Sequence, residues 1–259
     1  MLTVQPIRAF SDNYIWSLQG DDQSQASVVD PGDARPVLAY LNQHSIELKS
    51  ILITHHHGDH VGGIAGLLQA FPGIPVYGPA NERIPHITQR LADGDQILVE
   101  GTGQTFTVLD VPGHTAGHIA YLSGNKLFCG DTVFANGCGR VFDGTFEQLC
   151  VSLKKIAELP DDTLLYCAHE YTVDNIGFAK WVEPDNQDLL DRDEADMLRC
   201  EQGEPTVPST LGLEKRTNPF LRFTLPEVKA IAEKKIGREL QEDCQVFTVL
   251  RQWKDKEYD

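Results

Sequence analysis

Apolar and polar positions alternate in short runs through the first two-thirds of the chain. Ten such runs, 2–9, 14–18, 26–30, 49–54, 74–77, 96–99, 104–110, 117–122, 125–129 and 163–168, are rich in Val, Ile, Leu, Thr, Phe and Tyr. They are bounded by Gly, Pro, Asp and Asn, which is the texture of strands. Val37, Leu38 and Leu41 fall at helical spacing and predict a helix over 34–43, and the apolar stretch 61–71 predicts another. Over 145–158, Phe146, Leu149, Leu153 and Ile156 recur every three or four residues. Thr145 stands at the N-cap position before Glu147 and Gln148, which predicts where that helix starts.

The alternation stops near residue 172. Beyond it, 173–200, 226–236 and 239–254 read as polar helices, and the Gly/Pro-bearing piece 202–219 reads as a connection. The change predicts two domains, 1–172 and 173–259. Ten strands with interspersed helices predict an α/β (α+β) chain, with two sheets packed together and helices outside. The acidic run Asp185, Asp188, Asp191, Asp193, Glu194 and Asp196 reads as a solvated helix face.

Composition narrows the function classes. Of 259 residues, 41% are hydrophobic and 23% charged, which is a globular balance. Twenty-two Lys+Arg against 38 Asp+Glu leave a net charge of 22 − 38 = −16, the wrong sign for a nucleic-acid partner. No run approaches the ~20 apolar residues of a membrane span. The start MLTVQPIRAF does not read as a secretory signal, so the chain is expected in the cytoplasm. Its six cysteines form no C-x-x-C pair and are expected as small buried hydrophobes rather than disulfides.

The chemistry gathers in KSILITHHHGDH, residues 49–60. An apolar strand runs out into four histidines and an aspartate. On an extended backbone His55 and His57 project to one side, because the side-chain period is two. Gly58 lets the chain turn, so Asp59 and His60 can rejoin that side. An exposed polar turn is the plain alternative. Imidazoles this close repel when protonated and need partners when buried, so a metal explains them better.

Three later segments follow the same plan of an apolar strand ending in a ligand-type residue: VPGHTAGH (111–118), LFCGD (127–131) and LLYCAHEYT (164–172). They add His114, Asp131 and His169. Five imidazoles and two carboxylates are too many for one tetrahedral zinc with an open position. Two metals fit: one on His55, His57 and His114, the other on Asp59, His60 and His169, with Asp131 able to bridge.

The motif T-H-x-H-x-D-H at Thr54–His60, followed by GHT, GD and HEYT, resembles the metallo-β-lactamase superfamily. SDNYIW (11–16), VVDPGD (28–33), GGI (62–64), GHTAGH (113–118), GDTVFANGCGR (130–140), HEYT (169–172), NPFLR (218–222) and RQWKDK (251–256) are similar to the glyoxalase II, or hydroxyacylglutathione hydrolase, family within it. The resemblance spans nearly the whole chain. It implies a four-layer αβ/βα metallo-β-lactamase sandwich with a smaller C-terminal helical domain that binds substrate.

The resemblance also implies two divalent metal ions, zinc with iron or manganese as alternatives, on the seven residues above, with Asp59 and Asp131 catalytic. The implied reaction is hydrolysis of S-D-lactoylglutathione to D-lactate and glutathione by a metal-bridging hydroxide, the second step of methylglyoxal detoxification. The implied substrate contacts are Arg140, Phe142, Tyr171, Arg251 and Lys254. Phe142 stands where the family pattern has Tyr, so a hydroxyl contact is lost. His44, His56, His86 and His118 have no ligand role in the pattern. The expected protein is a monomer acting on a small molecule, with neither nucleic acid nor membrane as partner. A persulfide dioxygenase or lactonase of the same superfamily is the alternative.

Overall fold

Near the N-terminus the alternating runs fold back on one another. β1 (Thr3–Ala9) and β2 (Asn13–Gln19) pair antiparallel, with Ile7 opposite Ile15 and Ala9 opposite Asn13. The structure, a computed structural model, describes residues 1–258; Asp259, the last residue of the expected segment 173–259, lies outside them. The chain divides into two units, Met1–Asp110 with Thr115–Gly130, and Val111–His114 with Asp131 onward.

In the first unit β3 (Gln25–Val29) pairs antiparallel with β2, and the chain crosses through α1 (Ala34–His44) to a parallel β4 (Glu47–Leu52). The Asp33 side chain caps α1 by accepting from the Arg35 N–H, and Ser45 closes it in left-handed backbone. α2 (Gly58–Val61) and α3 (Ile64–Ala70) lead to β5 (Val76–Pro79) and β6 (Gln89–Leu91), both parallel. The six strands lie in the order β1-β2-β3-β4-β5-β6. One face of this sheet buries Ile7, Ile15, Val28, Ile51 and Val76 against Val37 and Leu41 of α1 and Ile64 and Leu67 of α3. Burial of that apolar area is what holds the strand ends still. β7 (Gln96–Val99), β8 (Gln104–Asp110), β9 (Ile119–Ser123) and β10 (Lys126–Gly130) follow as an antiparallel meander.

The second unit opens with the hairpin β11 (Val133–Phe134) and β12 (Gly137–Cys138). α4 (Phe146–Ala157) begins at the expected place, with a reciprocal capping box between Thr145 and Gln148. β13 (Leu164–Cys167) is followed by α5 (Thr172–Val182) and α6 (Gln187–Glu201). β14 (Ser209–Thr210) pairs with β13 and leads into α7 (Leu211–Thr217), α8 (Pro219–Arg222), α9 (Pro226–Ile236) and α10 (Asp243–Trp253). A wide helical turn, Lys254–Tyr258, ends the described chain.

Three expectations change. The helix expected over 61–71 starts at Gly58 and breaks at Gly62–Gly63. There the backbone of Pro31 and Gly32 comes so close that any Cβ would strike its carbonyl oxygens. The helix expected over 173–200 is interrupted between Val182 and Gln187, where Pro184 disfavours helical backbone before it. The expected connection 202–219 holds β14, α7 and the start of α8, with Pro219 at its N-terminus.

The cysteine expectation is also corrected. Cys150 of α4 and Cys244 of α10 form a disulfide, with Cα atoms 5.6 Å apart although 94 residues separate them. Their pairing is set by how the two helices pack, which no local spacing encodes. Cys129, Cys138, Cys167 and Cys200 remain thiols. Among the described residues, no helix is long and apolar enough to cross a membrane.

Candidate metal centre

In the first unit the ligand candidates hang from the end of β4. His55 and His60 are buried, His57 and Asp59 partly so. His55 Nε2 and His57 Nδ1 lie 3.1 Å apart, and His60 Nε2 lies 3.6 Å from Asp59 Oδ2. Two atoms bound tetrahedrally to one zinc, each about 2.1 Å away, sit roughly 3.4 Å from each other. The donor set therefore has the spacing of co-ligands.

Tautomers follow from the surrounding acceptors. The Thr54 hydroxyl, 2.7 Å from Asp30 Oδ2, gives its single proton to that carboxylate. It must then accept from His55 Nδ1 at 3.0 Å, which leaves His55 Nε2 with a lone pair. Asp30 Oδ2 also lies 3.0 Å from His60 Nδ1, the distance of an ion pair. Asp30, His55 and His60 could themselves be read as a metal trio. The Asp30 oxygens, however, already accept the Thr54 N–H at 2.8 Å as well as the Thr54 hydroxyl, so Asp30 orients rather than ligates. Asn13 does the same for Asp59, donating Nδ2–H to Oδ2 at 3.0 Å.

Further support is buried. Glu82 accepts from the Thr115 hydroxyl and stands 3.1 Å from His56 Nδ1, tying the 55–60 loop to the start of 115–118. His118 is buried and stacks on His55, with ring centroids 4.6 Å apart. Asp30, Asn13 and Glu82 were not singled out from sequence. The segments VVDPGD and SDNYIW were the available signal for the first two, and Glu82 had none.

In the second unit His114, Asp131 and His169 converge. All three are buried. Asp131 Oδ2 lies 3.5 Å from His114 Nε2 and 3.4 Å from His169 Nε2. His114 Nδ1 lies 2.7 Å from the Arg140 carbonyl oxygen, which can only accept, so a proton is on Nδ1, and in the neutral ring the Nε2 lone pair faces the carboxylate. Lone pairs turned toward a carboxylate in a buried setting repel unless a cation stands between them. The residues present thus fit a divalent metal.

Around these groups lie the expected substrate contacts. Tyr171 stacks on His169 with centroids 4.8 Å apart, and Phe142 meets His114 edge-on at 5.2 Å; both aromatic side chains are exposed. Arg140 is half exposed and sits 3.9 Å from Asp255. Arg251 is only 1% exposed, which a lone arginine on a polar helical tail does not suggest. Its Nη2 reaches Asp255 at 2.8 Å, and Nη1 donates to the Cys138 carbonyl at 3.0 Å. Lys254, also buried, holds Nζ 3.6 Å from Asp174. Burial pushes the thiols of Cys138 and Cys167 up to about 11 and about 12, so neither supplies a thiolate nucleophile near neutral pH.

Comparisons with known proteins agree with this chemistry. Residues 16–169 match the metallo-β-lactamase superfamily, and residues 170–257 match the hydroxyacylglutathione hydrolase C-terminus. A hydroxyacylglutathione hydrolase of Vibrio cholerae is 52% identical over 257 residues, covering 99% of this chain and 100% of that protein. Among solved structures, the B3 metallo-β-lactamase BLEG-1 superposes with a TM-score of 0.64 at 24% identity, over 85% of this chain and 99% of its own. TTHA1623 in a di-iron-bound form does so with a TM-score of 0.61 at 25% identity, over 84% and 100%. The fold is that of the metallo-β-lactamases, with a C-terminal helical region. The chain belongs to the hydroxyacylglutathione hydrolase (glyoxalase II) family of the metallo-β-lactamase superfamily.

Proposed function

We propose that this protein hydrolyses S-(2-hydroxyacyl)glutathione thioesters, with S-D-lactoylglutathione giving D-lactate and glutathione. The observation that carries the reading is the convergence of two histidine Nε2 atoms on one oxygen of Asp131. His55, His57 and His114 would hold one divalent metal, Asp59, His60 and His169 a second, and Asp131 would serve both. Zinc is our first choice, with iron or manganese as alternatives. When bound, such ions supply Lewis acidity and a source of hydroxide at neutral pH.

The chain's own groups do the rest. The Arg140 carbonyl keeps His114, and Asp30 through the Thr54 hydroxyl keeps His55, in the tautomers that present Nε2, while Asp30 stands 3.0 Å from His60. Asn13 holds Asp59 so that its carboxylate, with that of Asp131, can accept hydrogen bonds from the attacking water. The leaving thiolate has an ordinary pKa near ~8.5, so no dedicated general acid is needed. Arg140, Arg251 and Lys254 supply local positive charge for the two carboxylates of the glutathione moiety, on a chain whose net charge is −16. Tyr171 and Phe142 supply apolar walls beside His169 and His114.

We assign the metal chemistry to residues 1–172 and substrate binding to 173–259, in a monomeric cytoplasmic protein. Four cysteines that remain thiols support the cytoplasmic placement, and the Cys150–Cys244 bond counts against it. The test is exhaustive chelation followed by metal return. Thioester hydrolysis should vanish and reappear with zinc, iron or manganese; hydrolysis that survives complete metal removal contradicts the proposal.

A further inference from the structure

Asp131 and Arg140 are the two ends of one short loop, and that loop is held from within by a buried ion pair. Asn136, between β11 and β12, has left-handed backbone at φ 57. Asparagine is among the few non-glycine residues that accept that conformation, and here both its backbone and its side chain are tied down. Its N–H donates to Glu214 Oε2 at 2.7 Å, and its side-chain oxygen accepts from Arg192 Nη1 at 3.2 Å. Glu214 Oε2 also accepts from Asn218 Nδ2 at 3.0 Å, and the same amide reaches the Gly137 carbonyl at 2.9 Å. Arg192 in turn seats Glu214, with Nη2 on Oε1 at 2.7 Å. Glu214 is 0% exposed and Arg192 4%.

A carboxylate and a guanidinium so deeply placed are poor value as mere stability, since apolar residues of similar volume often do as well or better. What this pair does hold is position. Gly139 packs so tightly that a Cβ there would strike the Asp131 carbonyl and approach His114 Nδ1. The Arg140 carbonyl fixes the His114 tautomer. Any shift of the 131–140 loop therefore moves the Asp131 carboxylate, the partner of His114 and the Arg140 guanidinium together.

We infer that Glu214, seated by Arg192, is the positioning residue that sets the 131–140 loop for both metal binding and substrate binding. The inference rests on the metal-hydrolase reading above. Glu214→Gln keeps the shape but turns one accepting oxygen into a donor, which faces either Arg192 Nη2 or the Asn136 N–H and Asn218 amide, so one side of the network is broken whichever way the amide turns. Zinc affinity, read by competition with a chromophoric chelator, should fall about 10–100-fold. KM for S-D-lactoylglutathione should rise several-fold, with a smaller rise for a short thioester that lacks the peptide.

The double variant Glu214→Leu, Arg192→Met, made in an Asp196→Asn background because Arg192 Nε also holds that buried carboxylate at 3.1 Å, removes the pair without leaving a lone buried charge. It should melt close to the wild type yet still bind zinc weakly, because Asn136 has lost its acceptor. Arg192→Lys should recover part of the zinc affinity. Wild-type zinc affinity and KM in Glu214→Gln would overturn the inference, as would a double variant whose zinc affinity returns along with its melting temperature. A wild-type protein that binds no zinc overturns the metal reading and this inference with it. That failure is distinct, because it appears before any variant is made.

Discussion

The two units present their ligand candidates in opposite ways. In the first, four candidates occupy one turn at the end of β4, and each neighbour that orients them does so with a single side chain: Asp30 for His60, Asn13 for Asp59. In the second, His114, Asp131 and His169 come from three separate segments and meet at one carboxylate oxygen. Their support is a network: Glu214 and Arg192 under the 131–140 loop, and Arg251 reaching the Cys138 carbonyl from α10. A turn at a strand end is held by the sheet that produced it. A meeting point of distant segments needs buried polar bonds of long reach, each of which must be satisfied to be stable. Damage to the first arrangement should therefore stay local, and damage to the second should spread.

The largest effect should come from the shared oxygen of the second unit. Asp131→Ala should lose metal and activity together, by more than the 10–100-fold that removing an orienting neighbour costs. Full activity with two metals retained would break the contrast. In the first unit Asp30→Ala should lower metal affinity by about 10–100-fold while KM for the thioester stays near its wild-type value. A KM that rises equally would show that the damage is not local.

Arg140→Ala combined with Lys254→Ala should raise KM for the glutathione thioester by roughly 10-fold or more, since a bond to a charged group is worth about 1.5–3 kcal/mol. A short thioester without the peptide should be almost unaffected. Equal effects on both substrates would show that these cations do not meet the peptide.

A pH effect is expected from two buried thiols of the second unit. Cys138 and Cys167 are pushed up to about 11 and about 12 by burial, and both lie in the second unit. The folded form keeps these protons after the unfolded chain has lost them, so their contribution is complete below pH ~9 and drains away as pH climbs through the folded values. The melting temperature should fall over that interval. Replacing both with Ala should flatten the fall, and an unchanged slope would contradict the assignment. The smallest effect is expected of Phe142→Tyr, which adds a hydroxyl to an exposed ring and should lower KM a few-fold.

Legibility followed the same divide. The heptapeptide Thr54–His60 announced a metal because its ligands are neighbours in sequence, and the longer strands announced themselves by alternation. β6, β11, β12 and β14 span two or three residues, too short to alternate. Asp30, Glu82, Glu214 and Arg192 were not singled out, because each makes its contacts with a partner tens of residues away. Arg251 was expected as a substrate contact through the resemblance alone, and its deep burial was not foreseen; the Cys150–Cys244 bond was invisible until α4 and α10 were seen to pack. The proposed substrate contacts rest on the family resemblance alone, since a lone Arg, Tyr or Lys carries no spacing of its own.

The most direct test is a zinc titration of metal-stripped protein, following bound metal and thioester hydrolysis together. Hydrolysis should climb with bound zinc and level off at two ions per chain. A rate that is already maximal before any zinc binds, or a chain that takes up none, would contradict the account.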